Sequence, residues 1–283
     1  VEVQDFELCP RYQSVVVENV KNAESPNWMQ KRLSLLDHTP HSLYVDITNY
    51  VLLEVGQPMH AFDLSKIKGE KIIVRHAKEN EKLLTLDEKE HELTESNLVI
   101  ANESEPMVIA GIMGGMESGT YETTEDVMLE SANFHFANIL RSSHALGLSS
   151  DSSIRYAKGV NVENTDIGLK RALNLISKLN AGNISSVVVD INNGLPETRI
   201  VESKVERIND RLGLNIETET MIKILNKLGI ETTEKDGVLV SVIPAERTDI
   251  TRDCDICEEV GRIYGLDNIS IEDSTSTDFS TVG

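Results

Sequence analysis

An α+β fold in two domains is predicted by three observations. Residues 71–130 alternate short apolar runs with charged turns, and the stretches on either side carry apolar residues at helical spacing. An Asn-, Gly- and Pro-containing segment, Asn192-Asn193-Gly194-Leu195-Pro196-Glu197-Thr198, then interrupts the chain. At 283 residues the chain holds one large and one small domain, each long enough to bury a core.

In order along the large domain, residues 12–20 alternate and are β-branched enough for a strand, and Ser25-Pro26 opens a helix with Met29, Leu33 and Leu36 on its apolar face. Ile47, Val51 and Val55 recur at helical spacing, with Thr48 placed to cap that helix and Gly56 followed by Pro58 to stop it. Strands follow at 72–74, 98–100 and 107–109, separated by turns such as Asp87-Glu88-Lys89, which makes this region a mixed sheet. Helices are predicted at 134–146 and 164–180, the second with Leu169, Leu173, Ile176 and Leu179 on one side and Gly182 as its stop. A strand at 187–191 completes a domain of residues 1–193. The small domain, 199–270, reads as three helices at 205–212, 218–228 and 253–264. Ile222, Leu225 and Leu228 point inward from the second, Gly229 ends it, and Asp236-Gly237 turns a β-hairpin. Residues 271–283, rich in Ser, Thr and Asp, are expected to be a disordered tail.

Composition narrows the function. With 40% hydrophobic and 26% charged residues the chain is globular. No run approaches the roughly 20 apolar residues of a membrane span, and Val1-Glu2-Val3-Gln4-Asp5 lacks a signal peptide's basic and apolar regions, so the expected compartment is the cytoplasm, with no membrane partner. Cys254 and Cys257 form a lone CxxC far from Cys9, which reads as structural rather than as a zinc site. The formal net charge of −20 argues against a surface that grips nucleic acid by itself, because such binding draws its free energy from clustered Lys and Arg.

Four constellations carry chemistry. His60 follows the stop at Gly56-Gln57-Pro58, with Thr48 and Asn49 one helix length behind, a placement in which the three could face one another and hold a water or a carbonyl. On spacing alone a loop histidine satisfied by backbone is the more ordinary reading. Ala110 and Gly111 open the run Ala110-Gly111-Ile112-Met113-Gly114-Gly115, which lets backbone approach a ligand or simply turns between strands; no Lys-Ser or Lys-Thr follows, so it is not a phosphate loop. Glu130 sits in an apolar strand, where it either points to water or is buried and needs a donor. Asp249, Asp255, Glu258 and Glu259 are spaced to converge on one hard cation, or to form a solvated acidic helix start.

The stretch from Asp46 to Asp63, with Asp46-Ile47-Thr48-Asn49-Tyr50 and Gly56-Gln57-Pro58-Met59-His60-Ala61-Phe62-Asp63, resembles the B3/B4 editing module of the beta subunit of bacterial phenylalanine-tRNA ligase. Arg207-Ile208-Asn209, Leu228-Gly229-Ile230 and Glu258-Glu259-Val260-Gly261-Arg262-Ile263-Tyr264-Gly265 resemble the B5 domain of the same subunit. The resemblance implies hydrolysis of tyrosine wrongly esterified to tRNA(Phe): Thr48, Asn49 and His60 would orient water and ester, Ala110 and Gly111 would hold the ring, and Glu130 would accept its hydroxyl. It also implies a magnesium ion on Asp249, Asp255, Glu258 and Glu259 at the contact with an alpha subunit. A tetramer of two alpha and two beta subunits, contact with the acceptor end of tRNA(Phe), and ATP use at the alpha subunit complete the expectation. No serine or cysteine lies in an elbow motif, so water is the expected nucleophile.

The chain departs from the family in three places. Where members carry Arg-Pro-Ile-Asn-Asn-Val it reads Thr39-Pro40-His41-Ser42-Leu43-Tyr44; the aromatic-Glu-basic-Gly motif is Tyr156-Ala157-Lys158-Gly159, and Pro-Ser-Trp-Arg is Pro244-Ala245-Glu246-Arg247. Three functions follow: a hydrolytic editing module, a non-catalytic scaffold that docks the alpha subunit through the acidic helix, and a metal-dependent hydrolase using those acids. The third is weakest, because the acids lie in a different domain from His60.

Overall fold

Two five-stranded sheets carry the first half of the architecture, and one of their strands is buried on both faces. The computed structural model describes residues 1–185, 187–195 and 197–268, which divide into two units, Val1–Pro196 and Glu197–Gly283. The first unit begins β1 (Glu2–Val3), β2 (Arg11–Glu18), α1 (Asn27–Ser34), α2 (Leu43–Val55) and β3 (Met59–Asp63). It continues through β4 (Ile73–His76), β5 (Glu81–Leu84), β6 (Glu90–Leu93), β7 (Leu98–Ala101), β8 (Pro106–Ile109), β9 (Met113–Gly114) and β10 (Val127–Asn133). It closes with α3 (Phe136–Leu146), α4 (Asp151–Ala157), α5 (Asn164–Leu179), β11 (Asn183–Ile184) and β12 (Val189–Asn192).

One sheet runs β1-β4-β7-β8-β9, with β1 and β4 parallel and the other pairs antiparallel, a mixed sheet as predicted. The other is antiparallel, β11-β2-β10-β3, with β12 also on β2. All seven residues of β10 are buried. Met128 and Ala132 enter one core with Tyr12, Phe62 and Tyr156, while Val127 and Leu129 enter a second with Ile47, Val51, Ala61 and Leu169. Alternation therefore does not turn Glu130 outward, because neither face of its strand meets water.

Several expectations are corrected. The helix α2 begins at Leu43 after an extended Ser42, so Thr48 is mid-helix, and its hydroxyl donates to the Val45 carbonyl at 2.8 Å instead of capping an N-terminus. His60 is not a loop residue but lies in β3. Leu36 falls past the end of α1 and is exposed. Asn180, in the left-handed region, stops α5 in place of Gly182. The short helix α4, opened by a Ser150–Ser153 capping box, has too few residues to show a period.

The second unit comprises β13 (Arg199–Lys204), α6 (Val205–Leu212), α7 (Thr218–Lys227), β14 (Glu231–Lys235), β15 (Val238–Ile243) and α8 (Asp253–Tyr264). Its hairpin β14-β15 turns on Asp236 and Gly237, both with positive φ, and β13 adds a third strand that the sequence reading missed. Met221, Ile224 and Leu225 are the fully buried face of α7, with Ile222 and Leu228 only partly covered. The expected tail, 271–283, lies outside the described residues. Among the described residues, no helix is long and apolar enough to cross a membrane.

Candidate functional site

Strand register assembles the site. Glu130 on β10 lies opposite His60 on β3, and Ala132, two residues on, lies opposite Tyr12 on β2. Since residues two apart share a face, Tyr12, Glu130 and His60 form a row across three strands. The Nε2 of His60 is buried and has no hydrogen-bond partner among the described residues, while the ring stands edge-on to Phe62 with centroids 4.5 Å apart. Burial without a compensating anion pushes its pKa down to about 4, so the imidazole is neutral at pH 7. Burial pushes Glu130 up to about 8, against a weak opposing contribution from the Tyr12 hydroxyl, which donates to Oε2 at 3.4 Å. Burial thus favours the uncharged form of each group.

A cavity of about 90 Å³ is bounded by His60, Glu130, Gly111, Gly114, Ser152 and Tyr156, among others. Its glycines are demanded by close approach: Gly111 has φ +66°, and a Cβ there would lie 2.9 Å from Phe134 and Ile139 and 3.0 Å from Tyr156. At Gly114 a Cβ would meet the His60 ring at 2.9 Å. Tyr156 is locked by donating its hydroxyl to the Ala132 carbonyl at 2.7 Å. The space holds about three waters, at roughly 30 Å³ each, and is well below the roughly 300 Å³ at which ligand pockets begin, so an aromatic ring enters only if wall side chains move. A larger cavity of about 570 Å³ includes Ser14, Val16, Asp63 and Met128 in its wall, but its buried acid, Asp63, already accepts from Thr124 and Ser65.

The structure brings His60, Gly111 and Glu130 together and leaves three predicted residues out. Ala110 is buried behind the wall, donating its N–H to the Leu98 carbonyl. Thr48 and Asn49 ride on α2, whose Ile47, Tyr50 and Val51 pack on the opposite face of the sheet with Ala61 and Leu129. Tyr12, Ser152 and Tyr156 were not anticipated as site residues. In the sequence that segment is marked only by the departure from the family motif at Tyr156-Ala157-Lys158-Gly159.

In the second unit the four acids are apart in function. Arg247 donates bidentately to Asp249 at 3.0 and 2.7 Å and reaches Glu259 at 3.2 Å, and Arg262 holds Glu259 from the other side at 2.5 Å. Asp255 caps α8, accepting from the backbone N–H groups of Thr251 and Arg252 at 2.9 and 2.8 Å, which holds its carboxyl well below the usual range. Glu258 is exposed. Among the described residues no three His, Cys, Asp or Glu side chains are grouped to hold a metal ion, so the predicted convergence on magnesium does not occur in this arrangement. Arginines satisfy Asp249 and Glu259, and a helix N-terminus satisfies Asp255.

Comparison with known proteins gives the family. The B3/4 domain model matches residues 8–181 and the tRNA synthetase B5 domain model residues 201–266. Phenylalanine-tRNA ligase beta subunits of Clostridium acetobutylicum, Porphyromonas gingivalis and Bacillus subtilis are 44, 41 and 39% identical to this chain over 95, 96 and 95% of its length. The chain spans about a third of those relatives, 34, 33 and 34% respectively. A crystal structure of an N-terminal fragment of the phenylalanyl-tRNA synthetase beta subunit from Pyrococcus horikoshii is a loose likeness, with TM-score 0.41 and 15% identity over 91% of this chain and 72% of that one. The chain belongs to the phenylalanine-tRNA ligase beta-subunit family, of which it carries the B3/4 and B5 domains.

Proposed function

We propose that the first unit hydrolyses the ester of tyrosine wrongly attached to tRNA(Phe). The observation that carries this reading is the pairing of Glu130 with His60 across β10 and β3, two buried titratable groups on one cavity with no opposite charge among the described residues to satisfy them. A neutral imidazole with an unpartnered Nε2 accepts a hydrogen bond from water and orients it toward the ester carbon. Glu130, at the other end of the row, reads the ring hydroxyl. Phenylalanine leaves that buried carboxyl unpaired, which makes such sites selective. Ser152 has no hydrogen-bonded base among the described residues, so direct attack by water is the simpler route. Thr48 and Asn49 lie on the other sheet face and take no part in the step.

Within a complete beta subunit this unit would serve phenylalanyl-tRNA aminoacylation. The proposed partners are the acceptor end of tRNA(Phe) and an alpha subunit that uses ATP, in a tetramer of two alpha and two beta chains. Docking through magnesium on Asp249, Asp255, Glu258 and Glu259 is the weaker alternative, since Asp249, Asp255 and Glu259 are already engaged. Incubation of the chain with tyrosyl- and phenylalanyl-tRNA, with and without chelator, tests the proposal. Preferential release of tyrosine that is insensitive to chelator is expected. Equal or absent release from both esters would overturn it.

A further inference from the structure

The Tyr12 hydroxyl is fully buried, and among the described residues its hydrogen-bond partner is Glu130 Oε2. A buried phenol needs such a partner, and here it donates to a carboxyl that, among the described residues, has no cation beside it. The groups facing Glu130 are Tyr12 from β2, Cys9 just before that strand, His60 from β3 and Tyr156 from α4. None of them carries positive charge at neutral pH, since His60 is held neutral. A carboxyl so placed keeps its proton, and the oxygen that accepts from Tyr12 is then the carbonyl one.

We propose that Tyr12 is a positioning residue: by donating to Oε2 it leaves Oε1 to carry the carboxyl proton, so that Glu130 meets a hydroxylated aromatic ring as a hydrogen-bond donor. This deepens the editing reading and rests on it for the identity of the ligand. It reverses the polarity that the family resemblance implies, in which the glutamate accepts from the substrate hydroxyl. The ring oxygen then accepts from Oε1–H, and phenylalanine, with no oxygen there, leaves that donor unsatisfied. A carboxamide at this position has the same polarity, one carbonyl for Tyr12 and one N–H donor for the ring.

Two measurements on the whole chain separate the parts. The first is carbon-13 observation of the Glu130 carboxyl through a pH titration in the unsubstituted protein and in Tyr12→Phe, without tRNA. Removal of the hydroxyl is expected to move the Glu130 midpoint upward, because a hydrogen bond that helped its ionised form is gone; an identical titration in both proteins overturns the positioning role. The second is the ratio of tyrosyl- to phenylalanyl-tRNA hydrolysis, as kcat/KM, in the unsubstituted protein, Tyr12→Phe, Glu130→Gln and Glu130→Ala. Glu130→Gln should keep the ratio within about threefold, while Tyr12→Phe lowers it by about tenfold and Glu130→Ala by more, the scale of one buried hydrogen bond. A ratio lost in Glu130→Gln as fully as in Glu130→Ala overturns the donor polarity. Absence of hydrolysis by the unsubstituted chain overturns the editing reading and the proposed ligand together, while the titration still decides the role of Tyr12.

Discussion

The two acid-bearing regions of this chain have opposite electrostatic solutions. On the first unit's central strand, Glu130 is buried beside a neutral histidine and a phenol, and its pKa is pushed up to about 8. On α8, Glu259 is also shielded from solvent but lies between Arg247 and Arg262, which hold its carboxyl below the usual range although burial opposes them. Removing one partner of a buried ion pair destabilises the fold, whereas a buried carboxyl without a cation shifts toward its neutral form and marks a candidate ligand site. The comparison is the basis on which we propose the chemistry for the first unit and a structural role for Asp249, Asp255 and Glu259 in the second.

Removing a member of each region should sharpen the contrast. His60→Ala is expected to lower tyrosyl-tRNA hydrolysis by about a hundredfold or more while shifting the melting temperature by only a few degrees, since its Nε2 bonds nothing among the described residues. Undiminished hydrolysis in that variant removes His60 from the mechanism. Arg247→Met should have the reverse profile, destabilising the second unit by about 2 kcal/mol by leaving the buried Glu259 with Arg262 alone, and leaving hydrolysis unaffected. Chemical denaturation and the deacylation assay together check this, and a variant as stable as the parent would contradict the structural role of the pair.

A smaller effect lies in pH dependence. Because the folded-state pKa of Glu130 is raised, its contribution to stability is fully present below about pH 4.5 and is lost as pH rises through about 8. The lowered pKa of His60 acts in the other direction, its contribution being present above about 6.5 and lost as pH falls through about 4. Glu130→Gln should therefore gain stability relative to the parent between pH 5 and pH 9, measured by denaturant midpoints; a constant difference would contradict the buried neutral acid. The smallest effect is expected from Glu258→Gln, an exposed site with stability within about 0.5 kcal/mol of the parent and no change in magnesium titration. A calorimetric magnesium signal abolished by that substitution would restore the metal reading.

Much of the fold was legible because local rules agreed with tertiary packing. The Asp236-Gly237 turn, the period of α5 and the β-branched run of β2 all carry their structure in a few neighbouring residues. The site was legible only in part. Residue type and resemblance pointed to His60, Gly111 and Glu130, but the register that places Glu130 opposite His60 is a long-range pairing that no local pattern reports. For the same reason Thr48 and Asn49 looked close to His60 in sequence and proved to be on the other face of the sheet, and Ala110 proved to be core. Ala110→Trp would accordingly overpack a buried position and report on folding rather than on ring binding. Tyr12 went unnoticed because a tyrosine in a strand ordinarily signals only packing.

The contrast between the two regions is tested most directly by one site-resolved carbon-13 titration of the side-chain carboxyls of the whole chain between pH 4 and pH 9. Glu130 should remain protonated at pH 7 with a midpoint near 8, while Glu259 and Asp255 are ionised across most of the range. A Glu130 carboxyl that is already ionised at pH 6, or titrates together with Glu259, would contradict it.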